Sequence, residues 1–220
     1  MTDGETLSAR AALAIESDIL AGRLAPEARL GIAGTAARYG IGATPLREAL
    51  SRLAARGLVH AEGRRGFRVT PISRADLADI VLIRQTLERE ALRLAMARGG
   101  ADWEAEILAA LHRLKRSVRD DPTGFREGDA VFDLAHKAFH AALISGCGSP
   151  RLIAAQSRLY DEAYRYRRLM MASFRSPDGF LDSHEGLAEL TIARANPSAT
   201  QALDAHIATT LALVYPECAS

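Results

Sequence analysis

Four of the six histidines in this 220-residue sequence have a spacing that suits metal coordination. His136 and His140 are four residues apart, which would place both imidazoles on one face of a helix as a rigid pair of ligands. His184 and His206 lie on later segments that could converge on the same point. Such a site suits zinc first and nickel second, with open positions for a ligand carboxylate. The spacing alone equally allows ordinary surface or hydrogen-bonded core histidines.

A second group of chemically useful side chains is basic. Residues 38–68 contain seven arginines and two glutamates, although the whole chain has a formal net charge of only +1. If the segment contains a recognition helix, Arg47 lies where base edges are read and Thr44 can donate its hydroxyl to phosphate or base. Wing-tip arginines would reach phosphate or the minor groove. The predicted DNA contacts are Arg38, Thr44, Arg47, Arg64, Arg65 and Gly66.

The alternative for these arginines is the solvated face of an amphipathic helix. We favour that interpretation for Arg52 and Arg56, because Glu48 lies four residues before Arg52 and suggests a local salt bridge. For the other arginines, the order of the surrounding elements decides between the two interpretations.

Residues 1–72 have the pattern of a winged helix-turn-helix domain. One helix is predicted over about 6–21, a second over about 32–39, and a third from Pro45, with Thr44 as its N-cap. Leu58–Val59 and Phe67–Val69 then predict two short strands joined by the turn EGRRG. The apolar side of the first helix is predicted to be Leu7, Leu13, Ile15, Ile19 and Leu20.

Residues 73–220 predict an all-helical bundle, so the fold class is mainly α. Helical periods continue through this part and are interrupted by five glycine- or proline-containing breaks, which gives six helices. The predicted core positions of the first two helices are Leu77, Ile80, Val81, Ile83, Leu87, Ile107, Leu108, Leu111 and Leu114.

Composition narrows the class of protein. The only cysteines, Cys147 and Cys218, are far apart and have no CxxC spacing, which argues against a disulfide framework and for a reducing compartment. The first 20 residues lack the pattern of a signal peptide, and no stretch approaches the roughly 18 apolar residues of a membrane span. We therefore expect a cytoplasmic protein without a membrane partner.

The stretch YGIGATPLREALSRLAARGLVHAEGRRGFRV resembles the DNA-binding domain of the GntR family of bacterial transcription regulators. The later segments RQTLERE, AHKAFHAAL, DSHEGL and DAHIA resemble the fatty-acid-regulator-like subgroup and its helical effector domain, called FCD. AHKAFHAALISGCGS also resembles regulators of glutarate and carbon-starvation genes within that subgroup. One departure is Ala43, where family members often have an arginine.

The resemblance implies a homodimer that binds a palindromic operator and releases it when a small organic acid occupies the helical domain. It also implies a metal held by an acid and three histidines, which His140, His184 and His206 match. His136 occupies the acidic position, so either four imidazoles bind the metal or Asp133, one turn earlier, replaces the acid.

The same resemblance favours Arg84 as a carboxylate clamp, with an ion pair to Glu88 as the alternative. Arg165 is a second predicted ligand contact, since YDEAYRYRRL could add Arg165 or Tyr164 to a pocket wall, with amphipathic surface as the alternative for this stretch.

The leading functional prediction is a ligand-responsive DNA-binding repressor, released by a carboxylic acid such as glutarate or a related dicarboxylate. The alternative is a zinc-dependent hydrolase with an accessory winged helix. HKAFH, however, has Lys137 where HExxH enzymes carry their general-base glutamate, and the sequence offers no Ser-His-Asp ordering or phosphate-binding glycine loop. The sequence therefore predicts a regulator and not an enzyme.

Overall fold

The computed structural model describes residues 6–119, 130–171 and 177–216, without the side chains of Arg64, Ala130, residues 168–171 and Pro177. The chain divides into two compact units, Met1–Ser73 and Arg74–Ser220.

The first unit begins with three helices, α1 (Leu7–Leu20), α2 (Ile32–Tyr39) and α3 (Ala43–Ala55). The Thr6 hydroxyl caps α1 by accepting a hydrogen bond from the Ala9 N–H at 3.2 Å. Gly40 ends α2 in the left-handed conformation, with φ +62°. The helices share a core that includes Ile15, Leu46, Leu50 and Leu53, all with no exposed surface.

The start of α3 differs from the sequence prediction. The helix begins at Ala43, its N-cap is Gly42 in an extended conformation, and no side chain caps it. The prediction of Thr44 as N-cap was therefore wrong. Pro45 fits within the first turn, because that turn leaves its backbone N–H groups without helical partners. Thr44 is consequently a helical residue with an exposed side chain.

Three short strands complete the first unit: β1 (Arg29–Leu30), β2 (Val59–Ala61) and β3 (Phe67–Val69). They form an antiparallel sheet in the order β1-β3-β2, with Leu30 opposite Phe67 and Val59 opposite Val69. The sequence predicted the β2–β3 hairpin but not β1, since a two-residue strand shows no period. A 3-10 turn over Gly63–Arg65 joins β2 to β3.

In its described residues, the second unit contains six helices. They are α4 (Arg74–Arg98), α5 (Ala101–Arg119), α6 (Ala130–Ser145), α7 (Pro150–Met171), α8 (Pro177–Ile192) and α9 (Ser198–Val214). Helix α4 packs against α6, α7 and α9, and α5 packs against α6 and α8. This arrangement surrounds α6, which carries two of the histidines, with neighbouring helices.

Trp103 fixes α6 against α5. Its ring is buried, and its indole N–H donates to the Ala142 carbonyl at 3.0 Å. A Cβ at Gly99 would lie 2.2 Å from the Trp103 ring, and one at Gly146 would lie 3.1 Å from it. The two glycines therefore leave the room that the indole fills at the end of α6.

Several positions predicted as core are exposed. Leu7 and Leu13 on α1 are 59% and 55% exposed, Leu108 on α5 is 54% exposed, and Ile83 on α4 is 39% exposed. The buried stripe of α4 instead passes through the charged pair Arg84 and Glu88. A hydrophobic pattern counts apolar residues, so it missed a core stripe that includes an ion pair.

Candidate metal centre and DNA-binding surface

The four predicted histidine ligands come together in the second unit. His136 and His140 lie on α6, His184 on α8 and His206 on α9, and one ring nitrogen from each lies within 4.8 Å of the others. The Nε2 atom of His136 is 3.1 Å from the Nε2 atoms of both His140 and His184. Three of the four side chains are at most 4% exposed, and His206 is partly exposed.

The hydrogen bonds of His184 determine its tautomer. Its Nδ1 lies 2.7 Å from the Phe180 carbonyl, which can only accept, so Nδ1 carries the proton and Nε2 presents a lone pair to the cluster. The one proton that His136 Nε2 could carry cannot serve the Nε2 atoms of both His140 and His184. The two contacts therefore cannot both be good hydrogen bonds, whereas a cation bound between the three nitrogen atoms would satisfy their lone pairs.

The environment keeps His140, His184 and His206 neutral. Burial lowers the pKa of His140 and of His184 well below the ordinary value, and the neighbouring imidazoles lower both further. Burial also lowers the pKa of His206 to about 3, with contributions from His136 and from the guanidinium groups of Arg84 and Arg167. Neutral imidazole is the form that binds metal ions.

The nitrogen spacing fits a first-row metal ion. Zinc–nitrogen bonds of about 2.0–2.1 Å at tetrahedral angles place donor atoms about 3.3 Å apart, close to the 3.1 Å contacts found here. Asp133, the predicted substitute for the acid, lies one turn from His136 but accepts a hydrogen bond from the Tyr164 hydroxyl. It is absent from the converging donor group, which within the described residues consists of four histidines.

Arg84 and Glu88 form a buried ion pair on α4. The Arg84 Nε atom is 2.6 Å from Glu88 Oε1, and the two residues are 3% and 1% exposed. The Arg84 guanidinium also lies 5.5 Å from the centre of the Tyr160 ring, which borders the histidine cluster. The structure thus contains the ion pair considered as the alternative to a ligand clamp, and the ligand role of Arg84 remains a prediction.

Arg165, the second predicted ligand contact, lies away from the cavity described below. Its guanidinium is 3.9 Å from Asp76 in the first turn of α4, and burial lowers its pKa. The adjacent Tyr166 has no exposed surface and donates its hydroxyl to the same Asp76 carboxylate at 2.5 Å.

A cavity of about 440 Å³ adjoins the histidine cluster, within the size range of small-molecule sites. His136 and His206 reach it, Phe180, Leu187 and Leu190 supply apolar wall, and Arg167 also lines it. The sequence reasoning missed Arg167. The available signal was its position seven residues after Tyr160, two helical turns later on the same face of α7.

The DNA-binding prediction concerns one end of the first unit. Thr44 and Arg47 are exposed at the N-terminal end of α3, and Arg65 is exposed at the wing. The Arg64 side chain lies outside the described part of the chain. Gly66 has φ +100°, and a Cβ there would lie 2.8 Å from the Leu30 carbonyl oxygen, so the wing backbone itself requires this glycine.

Two other arginines of the basic segment, Arg38 and Arg56, have acidic partners on α1. Arg38 is half-exposed and lies 2.9 Å from Asp18, whereas Arg56 pairs with Glu16 on α1 at 2.5 Å. Arg52 is exposed, and the described structure contains no ion pair between it and Glu48, so the predicted local salt bridge is wrong. Arg52 and Glu48 both point into solvent, where such a pair adds little stability.

Sequence reasoning also missed Arg29. It is 57% exposed, lies 3.5 Å from Glu62, and lines a shallow depression together with Gly31 and Arg65.

Comparison with known proteins divides the chain at a similar place. Residues 7–69 match the family described as bacterial regulatory proteins, gntR family, and residues 79–209 match the FCD domain. Within the described residues, no helix is long and apolar enough to cross a bilayer.

Two curated relatives cover most of the chain. The HTH-type transcriptional repressor GlaR of Escherichia coli K12 is 35% identical over 91% of this chain and 92% of its own length. The uncharacterized HTH-type transcriptional regulator BphR of Paraburkholderia xenovorans LB400 is 37% identical over 91% of this chain and 82% of its own length.

The solved structure of E. coli McbR/YncC has the same fold. It gives a TM-score of 0.73 at 21% identity, covering 96% of this chain and 97% of that one.

Proposed function

Because this chain belongs to the GntR family of bacterial regulatory proteins and carries an FCD domain, we propose that it is a transcriptional repressor released by a small carboxylic acid. The comparisons indicate a DNA-binding transcription regulator and not an enzyme. The finer assignments below, on DNA contacts, metal and effector, are ours.

We assign DNA reading to the N-terminal end of α3. Arg47 and Thr44 are exposed there, and Arg65 at the wing contacts the phosphate backbone. In contrast, Arg38 contributes less, since Asp18 already accepts its hydrogen bond. The protein acts as a homodimer on a palindromic operator, since two symmetric half-sites require two symmetric winged helices.

We assign a divalent metal, zinc first and nickel as the alternative, to His136, His140, His184 and His206. The lone pairs that converge at His136 Nε2 support this assignment. Four histidines fill a tetrahedral shell, so such an ion would act as a Lewis acid by taking a carboxylate oxygen as a fifth ligand. Four neutral imidazoles do not offset the charge of a divalent ion, whereas an acidic ligand would, so this donor set favours an anionic effector.

The effector is a small carboxylic acid, and glutarate or a related dicarboxylate is our first candidate. Among the described residues, the cavity beside the histidines offers apolar walls for an aliphatic chain and one cationic group, Arg167, for a carboxylate. The name of the relative GlaR describes a repressor, which supports the direction of the response proposed here. Binding of the acid would lower operator affinity by favouring a dimer arrangement that fits the two half-sites poorly.

The hydrolase alternative has less support. Lys137, at the position of a general base in HExxH enzymes, instead pairs with Asp161 at 2.6 Å. The histidines that would hold a catalytic metal lie among Phe132, Phe139, Phe180 and Tyr160, and no carboxylate joins them in the described residues.

The observation that carries the proposal is a buried four-histidine cluster beside a cavity, in a chain that also has an exposed arginine-bearing recognition helix. The test is binding of zinc-loaded protein to DNA from its own upstream region, titrated with salt and with C4 to C6 dicarboxylates. We expect salt-sensitive specific binding that one of these acids weakens. Absence of DNA binding at low salt would refute the assignment of α3, and binding unaffected by every acid would refute the effector class.

A further inference from the structure

We infer that Arg167 is the residue that receives the carboxylate of the effector, an assignment that rests on the proposed function above. The site predicted from the sequence contained Arg84 and Arg165 but not Arg167. The chemical class of the ligand is a short aliphatic carboxylate.

Arg167 lies at the cavity in which the effector would bind. Among the described residues, Arg167 is the one arginine that lines the cavity, where it joins His136 and His206. The side chain is 4% exposed, so its charge faces the cavity and neighbouring side chains instead of bulk water.

Arg84 and Arg165, the two arginines predicted as ligand contacts, are less well placed for this role. Arg84 already has a carboxylate partner, because Glu88 lies 2.6 Å from it in a pair with almost no solvent exposure. Arg165 lies near Asp76 and does not line the cavity. A ligand carboxylate at Arg84 would have to displace Glu88, and Arg84 does not line the cavity, whereas Arg167 does.

The orientation of the Arg167 guanidinium is restricted by Tyr160. The Arg167 guanidinium lies 3.9 Å from the centre of the Tyr160 ring, which is stacking distance, and its Nη2 reaches the Tyr160 carbonyl at 3.4 Å. Stacking on a buried aromatic ring restricts the planar group before a ligand arrives. A restricted fork can form two parallel hydrogen bonds to a carboxylate with little further loss of entropy.

The cavity walls define the rest of the ligand. Phe180, Leu187 and Leu190 provide apolar surface, and Thr209 and Thr210 provide hydroxyl groups. One carboxylate, that of the exposed Asp182, also lines the cavity and would disfavour an anion close to it. A short aliphatic acid with its carboxylate at the Arg167 side fits this distribution of charge.

The test is isothermal titration of the full-length, zinc-loaded protein with succinate, glutarate and adipate. The variants are Arg167→Gln, which removes the charge, and Arg167→Lys, which keeps the charge but removes the planar fork. The control is Arg158→Gln on the same helix, where the side chain is 61% exposed. Zinc content and operator affinity without acid are measured for every variant, so that a loss of acid binding is separated from a loss of metal or of the fold.

We expect acid binding at least about tenfold weaker in Arg167→Gln, intermediate in Arg167→Lys, and unchanged in Arg158→Gln. Wild-type affinity in a zinc-loaded Arg167→Gln protein would overturn the inference and leave the proposed function standing. A wild-type protein that binds operator and zinc but none of the acids would overturn the effector class as well.

If both Arg167 variants fail to fold, a crystal structure of the wild type with glutarate decides the question. A carboxylate oxygen within hydrogen-bond distance of the Arg167 guanidinium is expected, and a carboxylate bound elsewhere would refute the assignment.

Discussion

Replacing Glu88 with glutamine tests the buried ion pair beside the candidate metal centre. Glu88→Gln keeps the shape of the side chain but leaves the Arg84 guanidinium without its carboxylate. Both residues are at most 3% exposed and 2.6 Å apart, so solvent does not screen the loss. Removing one partner of such a pair costs about 3–5 kcal/mol of unfolding free energy. For a unit of roughly 150 residues this corresponds to a fall in Tm of about 6–20 °C.

The assay is urea unfolding followed by circular dichroism at 222 nm, on metal-free protein. A double-mutant cycle with Arg84→Met and Glu88→Leu separates the pair from its surroundings. Because the double variant buries no charge, we expect it to be far more stable than either single variant. The coupling energy should exceed about 2 kcal/mol.

A Glu88→Gln protein within about 1 kcal/mol of the wild type would refute this reasoning, as would strictly additive effects of the two substitutions. The same variant also tests the predicted ligand role of Arg84. If added glutarate raises the stability of Glu88→Gln but not of the wild type, an unpaired Arg84 can receive a ligand carboxylate.

Three further predictions concern DNA binding, metal binding and the dependence of stability on pH. Arg47→Ala should weaken operator binding by about 1–3 kcal/mol, measured by fluorescence anisotropy at fixed salt, whereas Arg52→Ala on the same helix should change it little; equal effects would contradict the assigned role of Arg47. The double variant His140→Ala/His184→Ala should lose bound zinc in an elemental assay while still binding operator, and an unchanged zinc content would contradict the four-histidine site. Because burial lowers the pKa of His206 to about 3, the unfolded state takes up its proton first, so unfolding free energy should fall as pH drops from about 6.5 towards 3. His206→Ala should make that decline less steep in metal-free protein, with the remainder due to His140 and His184, and an unaltered pH profile would show that His206 makes no contribution.

Much of the architecture follows from local sequence signals. Thr6 caps α1, Gly40 ends α2, and glycines bound the wing turn. The helix breaks in the second unit contain proline or glycine. The errors lie where position on a helix face matters. Leu13 and Leu108 are apolar but lie beside the buried stripe, and one step along a helix rotates a side chain by about 100°.

From residue spacing alone, the part of the candidate site that lies on a single helix was predictable. The spacing of His136 and His140 defines a shared face of α6 regardless of the rest of the fold. The place of Arg167 depends on how α7 packs against α9, and the pairing of Arg84 depends on its burial. These properties are tertiary, so a pattern read along the chain gives the residue types but not their partners.

Tyr166 and Arg167 are consecutive residues of α7 with different attachments. Arg167 lines the cavity, whereas the Tyr166 hydroxyl binds Asp76, three residues after the first unit ends at Ser73. Their Cα atoms are about 3.8 Å apart in a rigid helical backbone, so a backbone shift at one is a shift at the other. A ligand in the cavity that moves Arg167 would therefore also move Tyr166, whose hydroxyl binds Asp76 in the first turn of α4. A Tyr166→Phe variant would remove the hydrogen bond to Asp76 and leave the residues that line the cavity unchanged.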